Sequence, residues 1–364
     1  MGFTLIKETN IDFVGQRYKA YVLSALLLLG SMLLLALSGG PRMGIDFAGG
    51  VIVQVQFQHP VEDEALKNSL DVEHLPGLST QRFGEGRRDY LLRFSTPDAS
   101  AQELRDSVLG ILKTAFPGNA SEIARLEMVG PKVGADLAHK AMEALYYSVL
   151  LIAVYISGRF EQRWLAAAIM AAALWGGVYA VSLFGVGTGG LVLVALGITI
   201  AVSWRLKLNF ALGAVIGLLH DVFITLGILT ILGMEIDLNV VAALLTLGGW
   251  SLNDTIIVYD RIRENLRKES SRELGAIIND SINQTLSRTM ITSGTTFVAV
   301  LALYLLGGGV INDFALTMLI GVLIGTISSI YVSAPILLAL GTTEQYARIL
   351  KPQRYEKPGE HGVV

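Results

Sequence analysis

The sequence predicts a polytopic α-helical membrane protein with one α+β domain inserted after its first span. Three observations carry this. Of 364 residues, 52% are apolar and only 16% charged, and the mean hydropathy is +0.55, which sets the chain apart from soluble globular domains. The charged residues collect between apolar runs, several of them close to the ~20 residues a helix needs to cross a bilayer. Between residues 40 and 138 those runs give way to short alternating patterns. The net charge of −3 identifies no partner, because in a membrane protein charge acts loop by loop. With no cysteine, disulfides, thiol chemistry and Cys-ligated metals are excluded. The five histidines, His59, His74, His139, His220 and His361, form no His-x-x-x-His pair, so no metal and no cofactor are expected.

Residues 1–19 are a polar lead carrying Lys7, Arg17 and Lys19, and 20–38 form the first transmembrane run. That run is longer than the roughly 15 residues of a cleaved signal's apolar core, and reads as a retained anchor. In 40–138, strand patterns cover Val51–Phe57, Leu78–Phe83, Asp89–Ser95 and Ile123–Val129, and helical ones Val61–Leu70 and Ala99–Phe116. The order β-α-β-β-α-β is that of a ferredoxin-like unit.

After Pro131 the membrane pattern returns, in a bundle over 139–340. Expected spans are Ala141–Ser157, Trp164–Phe184, Thr188–Trp204, Leu208–Gly233, Leu238–Tyr259, Thr289–Leu306 and Phe314–Leu340, about eight with the first. Arg159, Arg163, Arg205, Lys207, a 260–287 linker and the 341–364 tail with Arg348, Lys351 and Arg354 fall on one side. The loops opposite (Gly185–Gly187, Met234–Asp237, Gly307–Asp313) carry no Lys or Arg. The positive-inside rule therefore puts both termini in the cytoplasm and the 40–138 domain outside. The linker is amphipathic, with Glu264 and Lys268 at i,i+4 spacing, and is expected along the cytoplasmic surface. The last residues, with Pro352, Pro358 and Gly359, read as unstructured. A shift of 46 residues lays Arg159 on Arg205 and Ala168 on Ala214, which either a duplication or chance likeness of apolar helices explains.

Asp221, Asp254 and Asp313 sit within or at the edges of apolar spans. A charge at the centre of a bilayer helix costs roughly 2.5–3.5 kcal/mol on insertion scales, so such a carboxylate points to an ion or proton pathway. Asp254 is the strongest of the three. Arg288, at the mouth of the next span, is its expected partner, and Asn253 and Thr255 are expected hydrogen-bond donors. The other reading of this group is a polar clasp between helices. His220 beside Asp221 fits either a proton relay or a buried pair that fixes packing. Asp313 is expected near the outer surface and solvated. Gly44, Asp46, Gly49 and Gly50 lie between the first span and the first strand, where glycines permit tight turns, and read either as a hinge for the outer domain or as a plain connector. Gly321-x-x-x-Gly325 suits close helix packing. The chain has no Gly-Lys dipeptide, and nucleotide hydrolysis by a phosphate loop is excluded.

Taken in order, several stretches resemble the SecF family. They are Gly44-Ile-Asp-Phe-Ala-Gly-Gly50, Val129-Gly-Pro-Lys-Val-Gly134, Leu218-Leu-His-Asp221, the run from Ser251 through Asp260, Arg261, Arg263 and Glu264 to Asn265, Ser287-Arg-Thr-Met-Ile-Thr-Ser293, and Asp313-Phe-Ala315. The resemblance implies membership of the resistance–nodulation–division superfamily, an inner-membrane location and a periplasmic 40–138 domain. It implies work with SecD, SecYEG and YajC on unfolded preproteins, driven by the proton-motive force in the late stage of export. It implies no enzymatic activity and no nucleic-acid partner. The family's proton path falls on Asp254 and Arg288. One departure stands out. The family has six spans, and an extra hairpin near 160–206 separates Arg159-Phe-Glu161 from Phe210-Ala-Leu-Gly-Ala214. Two other functions share these features: a stand-alone proton-coupled exporter of small molecules or lipids, and a passive scaffold for SecD.

Overall fold

A computed structural model describes residues 9–70, 75, 78–83, 86–94, 100–161, 164–184, 188–269 and 271–350. Lys7, His74, Arg163, the Gly185–Gly187 loop, the end of the tail from Lys351 and His361 lie outside them. The first span is α1 (Arg17–Leu37). Ahead of it, the backbone N–H of Phe13 donates to Asn279 Oδ1 (2.9 Å) and that of Ile11 to Asn283 Oδ1 (3.0 Å). The end of the polar lead is thus bound to the bundle.

After α1 come a one-turn helix, α2 (Ile45–Ala48), and the sheet domain: β1 (Gly50–Phe57), α3 (Asp63–Ser69), β2 (Ser79–Phe83), β3 (Asp89–Phe94), α4 (Ala101–Ala115) and β4 (Ser121–Val129). The strand order is β2-β3-β1-β4 with every pair antiparallel, the ferredoxin-like arrangement that the sequence predicts. Alternation in β1 sends Val51, Val53, Val55 and Phe57 inward, where Leu66, Leu104, Val108 and Leu112 of the two helices meet them in one core. Ser100 and Glu103 form a reciprocal capping box at the start of α4, satisfying two of its orphan N–H groups. The helices cover one sheet face. The opposite face, with Ile52, Gln54, Leu91 and Arg93, looks onto the rim of the membrane bundle across a cleft of about 300 Å³.

The bundle consists of α5 (Pro131–Glu161), α6 (Trp164–Ser182), α7 (Thr188–Leu206), α8 (Asn209–Ile231), α9 (Leu238–Lys268), α10 (Leu274–Leu306) and α11 (Gly309–Ser328), followed by short α12 (Leu337–Leu340) and α13 (Thr343–Leu350). Among the described residues seven helical segments are long and apolar enough to cross a membrane. The eighth expected span is helical as well, with an apolar stretch at Leu193–Leu206. The sheet domain ends sooner than expected. Pro131 opens α5, since its fixed φ and missing N–H suit the first helical position, and residues 131–138 are bundle rather than domain.

The 260–287 linker also differs from expectation. It is not a separate surface helix. α9 runs unbroken to Lys268 and α10 begins at Leu274, so the polar stretch is two helix extensions joined by a short turn. Their apolar faces (Ile262, Leu266, Leu274, Ile277, Ile278, Ile282) are buried with Phe13 and Val14. The amphipathic pattern answers to helix–helix packing, which a single sequence cannot tell from packing on lipid.

The last long span contains a π turn, Ser329–Ser333, with Ala334 N–H bonded to Ser329 O. A proline inside a helix lacks an N–H and clashes with the carbonyl four residues back. Here Pro335 follows the turn, and the widened backbone absorbs it.

Candidate functional site

Among the described residues two buried acids lie in the bundle, on neighbouring helices. α9 starts at the sheet-domain end, and Asp254 lies sixteen residues along it, about 24 Å deep at 1.5 Å per residue. It is 1% exposed. Its hydrogen bonds come from α10. Ser293 Oγ donates to Oδ2 at 2.9 Å, and Thr292 Oγ1 reaches Oδ1 at 3.4 Å. Thr292 has alternatives, since its hydroxyl also reaches Arg288 O at 3.1 Å and Thr289 O at 3.0 Å. A single hydroxyl proton serves one of these at a time.

The register explains the pairing. α9 and α10 run antiparallel, with Trp250 Nε1 donating to Thr296 Oγ1 (3.3 Å) on one side of the acid and Asn265 Nδ2 to Ser281 Oγ (2.9 Å) on the other. Arg288 therefore falls one turn beyond Asp254. It is exposed on the outside of the bundle, near enough for its charge to act on the carboxyl but with no ion pair to it among the described residues. Asn253 is exposed and Thr255 buried, and no hydrogen bond to Asp254 comes from either. The donors are Ser293 and Thr292, which reading the acid's sequence neighbours missed. Thr289, Thr292, Ser293 and Thr296 fall at i, i+3, i+4 and i+7, one face of a helix, and that spacing was the available signal.

Asp221 is fully buried near the middle of α8. Its Oδ2 accepts from Ser251 Oγ of α9 at 2.6 Å, and its Oδ1 lies 3.0 Å from His220 Nδ1. Ser251 is three residues before Asp254, so the two acids are joined through one turn of α9. Asp313 is half-buried at the start of α11 and lines the cleft under the sheet domain. It is less open to solvent than the sequence suggested.

The glycine connector is clamped at both ends. Gly44 N–H donates to Ile236 O at 2.8 Å. Asp46 Oδ2 accepts the backbone N–H of Leu238 at 3.0 Å, while Asp237 Oδ1 accepts that of Val240 at 2.8 Å. Two carboxylates thus hold the first turn of α9, where orphan N–H groups and the helix dipole favour negative charge. Gly49 and Gly50 have φ of +75° and +135°, the region that favours glycine. A Cβ on Gly134 would stand 2.9 Å from Phe47 O, so α2 sits directly on the first turn of α5.

Above the clamp, Arg93 of β3 pairs with Glu235. Burial lowers the pKa of its guanidinium, while the charges of Asp313, Asp237 and Asp46 oppose that shift. At the other end of the bundle, Asp260 accepts from Arg159 Nη2 at 3.3 Å and lies 3.7 Å from Arg263 Nη1. Arg263 also donates to Arg159 O (3.3 Å) and lies over the Phe160 ring. Arg261 and Lys268 both pair with Glu264. This motif ties the end of α5 to α9.

Known proteins resemble this chain in sequence and fold. A family described as "Protein export membrane protein SecD/SecF, C-terminal" matches residues 111–187 and 176–343. A second, the "SecD/SecF GG Motif", matches 37–61, which holds the clamped connector. The chain is 36% identical over 358 residues to the protein translocase subunit SecF of Vibrio alginolyticus, covering 98% of each. It is 37% identical over 350 residues to that of Escherichia coli O157:H7, covering 96% of this chain and 92% of the relative. Among solved structures, SecDF of Thermus thermophilus, a translocon-associated membrane protein, superposes with a TM-score of 0.66 at 29% identity. The match covers 93% of this chain and 39% of that longer one.

Proposed function

We propose that this chain, which belongs to the SecF family of protein translocase subunits, is a proton-driven motor subunit that works with a SecD partner in preprotein export. The observation that carries the reading is Asp254, a carboxylate deep in the bundle whose nearest donors are two hydroxyls rather than a fixed cation. A hydroxyl can donate to a carboxylate or accept from a carboxylic acid. The site therefore accommodates both protonation states with small rotations, where a tight arginine pair would favour only the charged one.

The connector supplies a route from that acid to the outside. A change in the tilt of α9 as Asp254 gains or loses a proton is transmitted at its first turn to Asp46, to α2 and to the sheet domain. One charge crossing 100 mV carries about 2.3 kcal/mol, comparable with breaking one or two charge-assisted hydrogen bonds of the clamp.

The arrangement of Lys and Arg supports cytoplasmic termini and a periplasmic sheet domain in the inner membrane. SecYEG and YajC are the further partners, unfolded preproteins the cargo, and protons the coupling ion. The test is export into vesicles carrying SecD with this chain, with and without a proton gradient, at depleted ATP. The expected result is gradient-dependent export by wild type and none by Asp254→Asn, at equal amounts of assembled complex. Equal export by the two would overturn the reading.

A further inference from the structure

Asp221 stands at one end of a buried polar column that the Asp254 site does not use. Counting back along α8, Gly217 and Gly213 lie one and two turns from Asp221 on the same face. Each is a notch filled by a polar group of another helix. A Cβ on Gly217 would lie 2.0 Å from Ser333 Oγ, and one on Gly213 would lie 2.5 Å from Tyr259 Oη. Tyr259 Oη donates to Ser333 O at 2.8 Å. The acid, the serine and the tyrosine therefore descend α8 in steps of four residues, about 6 Å each, toward the end of the bundle away from the sheet domain.

Packing alone does not explain the column. Among the described residues, Ser333 Oγ, Thr225 Oγ1 and His220 Nε2 are all buried without a hydrogen-bond partner, in residues 1%, 0% and 8% exposed. Burying such a group unpaired is costly, a cost that alanine at 333 or 225 would relieve. Ser333 also closes the π turn, a distortion that recurs at functional sites. The titratable groups facing the column are His220, Asp221, Tyr259 and, from beside Tyr259, Tyr21 and Tyr346.

We propose that Asp221, Ser333 and Tyr259 form the limb of the proton route between the middle of the bundle and its far end, with Asp221 as a second protonation site. This rests on the proton-driven reading above. Ser251 links the limb to the helix that carries Asp254. The limb requires a water at each step, from the Asp221 carboxyl to Ser333 Oγ and from Ser333 Oγ to Tyr259 Oη, because about 6 Å is too far for a direct transfer. Each hydroxyl takes one proton on its oxygen and gives up the one it held, so none changes its net charge after a transfer; Tyr259 Oη turns from Ser333 O and releases its proton to a water toward the far end.

The test is the rate of proton uptake by vesicles carrying the complex with SecD, for wild type, Ser333→Ala, Tyr259→Phe and Asp254→Asn. The expected result is normal assembly and an uptake lowered about tenfold in the first two variants. Wild-type uptake in both, beside its loss in Asp254→Asn, overturns the column and leaves the proposed function standing. Wild-type uptake in Asp254→Asn overturns the function itself and this inference with it. A measurement on the wild type stands should the variants fail to assemble: hydrogen–deuterium exchange of the Asp221 carboxyl by infrared difference spectroscopy, its band assigned with Asp221→Asn. Exchange within minutes supports the limb. A carboxyl that stays unexchanged overnight, or is ionised throughout, overturns it.

Discussion

At the scale of single residues, Ser293 shows how little holds the central acid. It donates the shorter of the two hydrogen bonds to Asp254, and Ser293→Ala leaves the carboxyl with Thr292 alone. A hydrogen bond to a charged group contributes about 1.5–3 kcal/mol. We expect that variant to assemble and to slow gradient-dependent export several-fold in the vesicle assay, while unchanged export would show that the bond has no part in the cycle. Tyr90 gives a test outside the membrane. Its hydroxyl donates to Val61 O at 2.6 Å and lies 2.8 Å from Asp63 Oδ1. Burial first, and then the Asp63 carboxylate, push its pKa up to about 12. The folded value is above the unfolded one, so this stabilisation is complete below about pH 10 and is lost as pH rises toward 12. Tyr90→Phe is expected to cost about 1 kcal/mol at neutral pH and to flatten the alkaline fall in unfolding temperature. Asp254 itself was legible in the sequence, because a charge in an apolar run is conspicuous. Its donors were not, because serine and threonine sit in such helices at little cost and pair across a register that only the packed structure fixes.

At the scale of elements, the connector and α9 are tied together by hydrogen bonds. Asp46 reaches 192 residues along the chain to cap the helix that bears Asp254. Losing a helix cap costs about 0.5–2 kcal/mol, so Asp46→Ala is expected to lower the unfolding temperature modestly. If the clamp transmits the signal, the same variant loses gradient-dependent export out of proportion to that fall. Export that tracks stability alone would make the clamp purely structural. The strands, the two covering helices and the membrane helices could be read from period and length. The extension of α9 and α10 past the membrane could not, since an amphipathic face such as Ile262, Leu266, Ile277 and Ile278 packs equally well on lipid or on a second helix. Nor could the π turn, although Pro335 signalled that the last span needed a local distortion.

At the scale of the molecule, the sheet domain sits on the bundle rim through Arg93, which faces Glu235, Asp237, Asp313 and Asp46. The absence of cysteine makes this junction easy to probe. A thiol crosslinker joining Arg93→Cys to Glu235→Cys fixes the domain in this position, and we expect it to stop export until the link is cleaved. Full export by the crosslinked complex would show that the domain need not move. The hairpin α6–α7 was legible only as an apolar excess over the six-span pattern. The two stretches matched by the SecD/SecF family overlap at 176–187, within that hairpin, yet its contacts assign it no part in either acid site.

The central claim is that Asp254 changes protonation during the cycle. Infrared difference spectra of the assembled complex, taken as a proton gradient is imposed and then collapsed, test it most directly, with Asp254→Asn to assign the band. The expected result is a carboxylic-acid band that appears and disappears with the gradient in wild type and is absent from the variant. A carboxyl whose state is the same with and without the gradient would contradict the account.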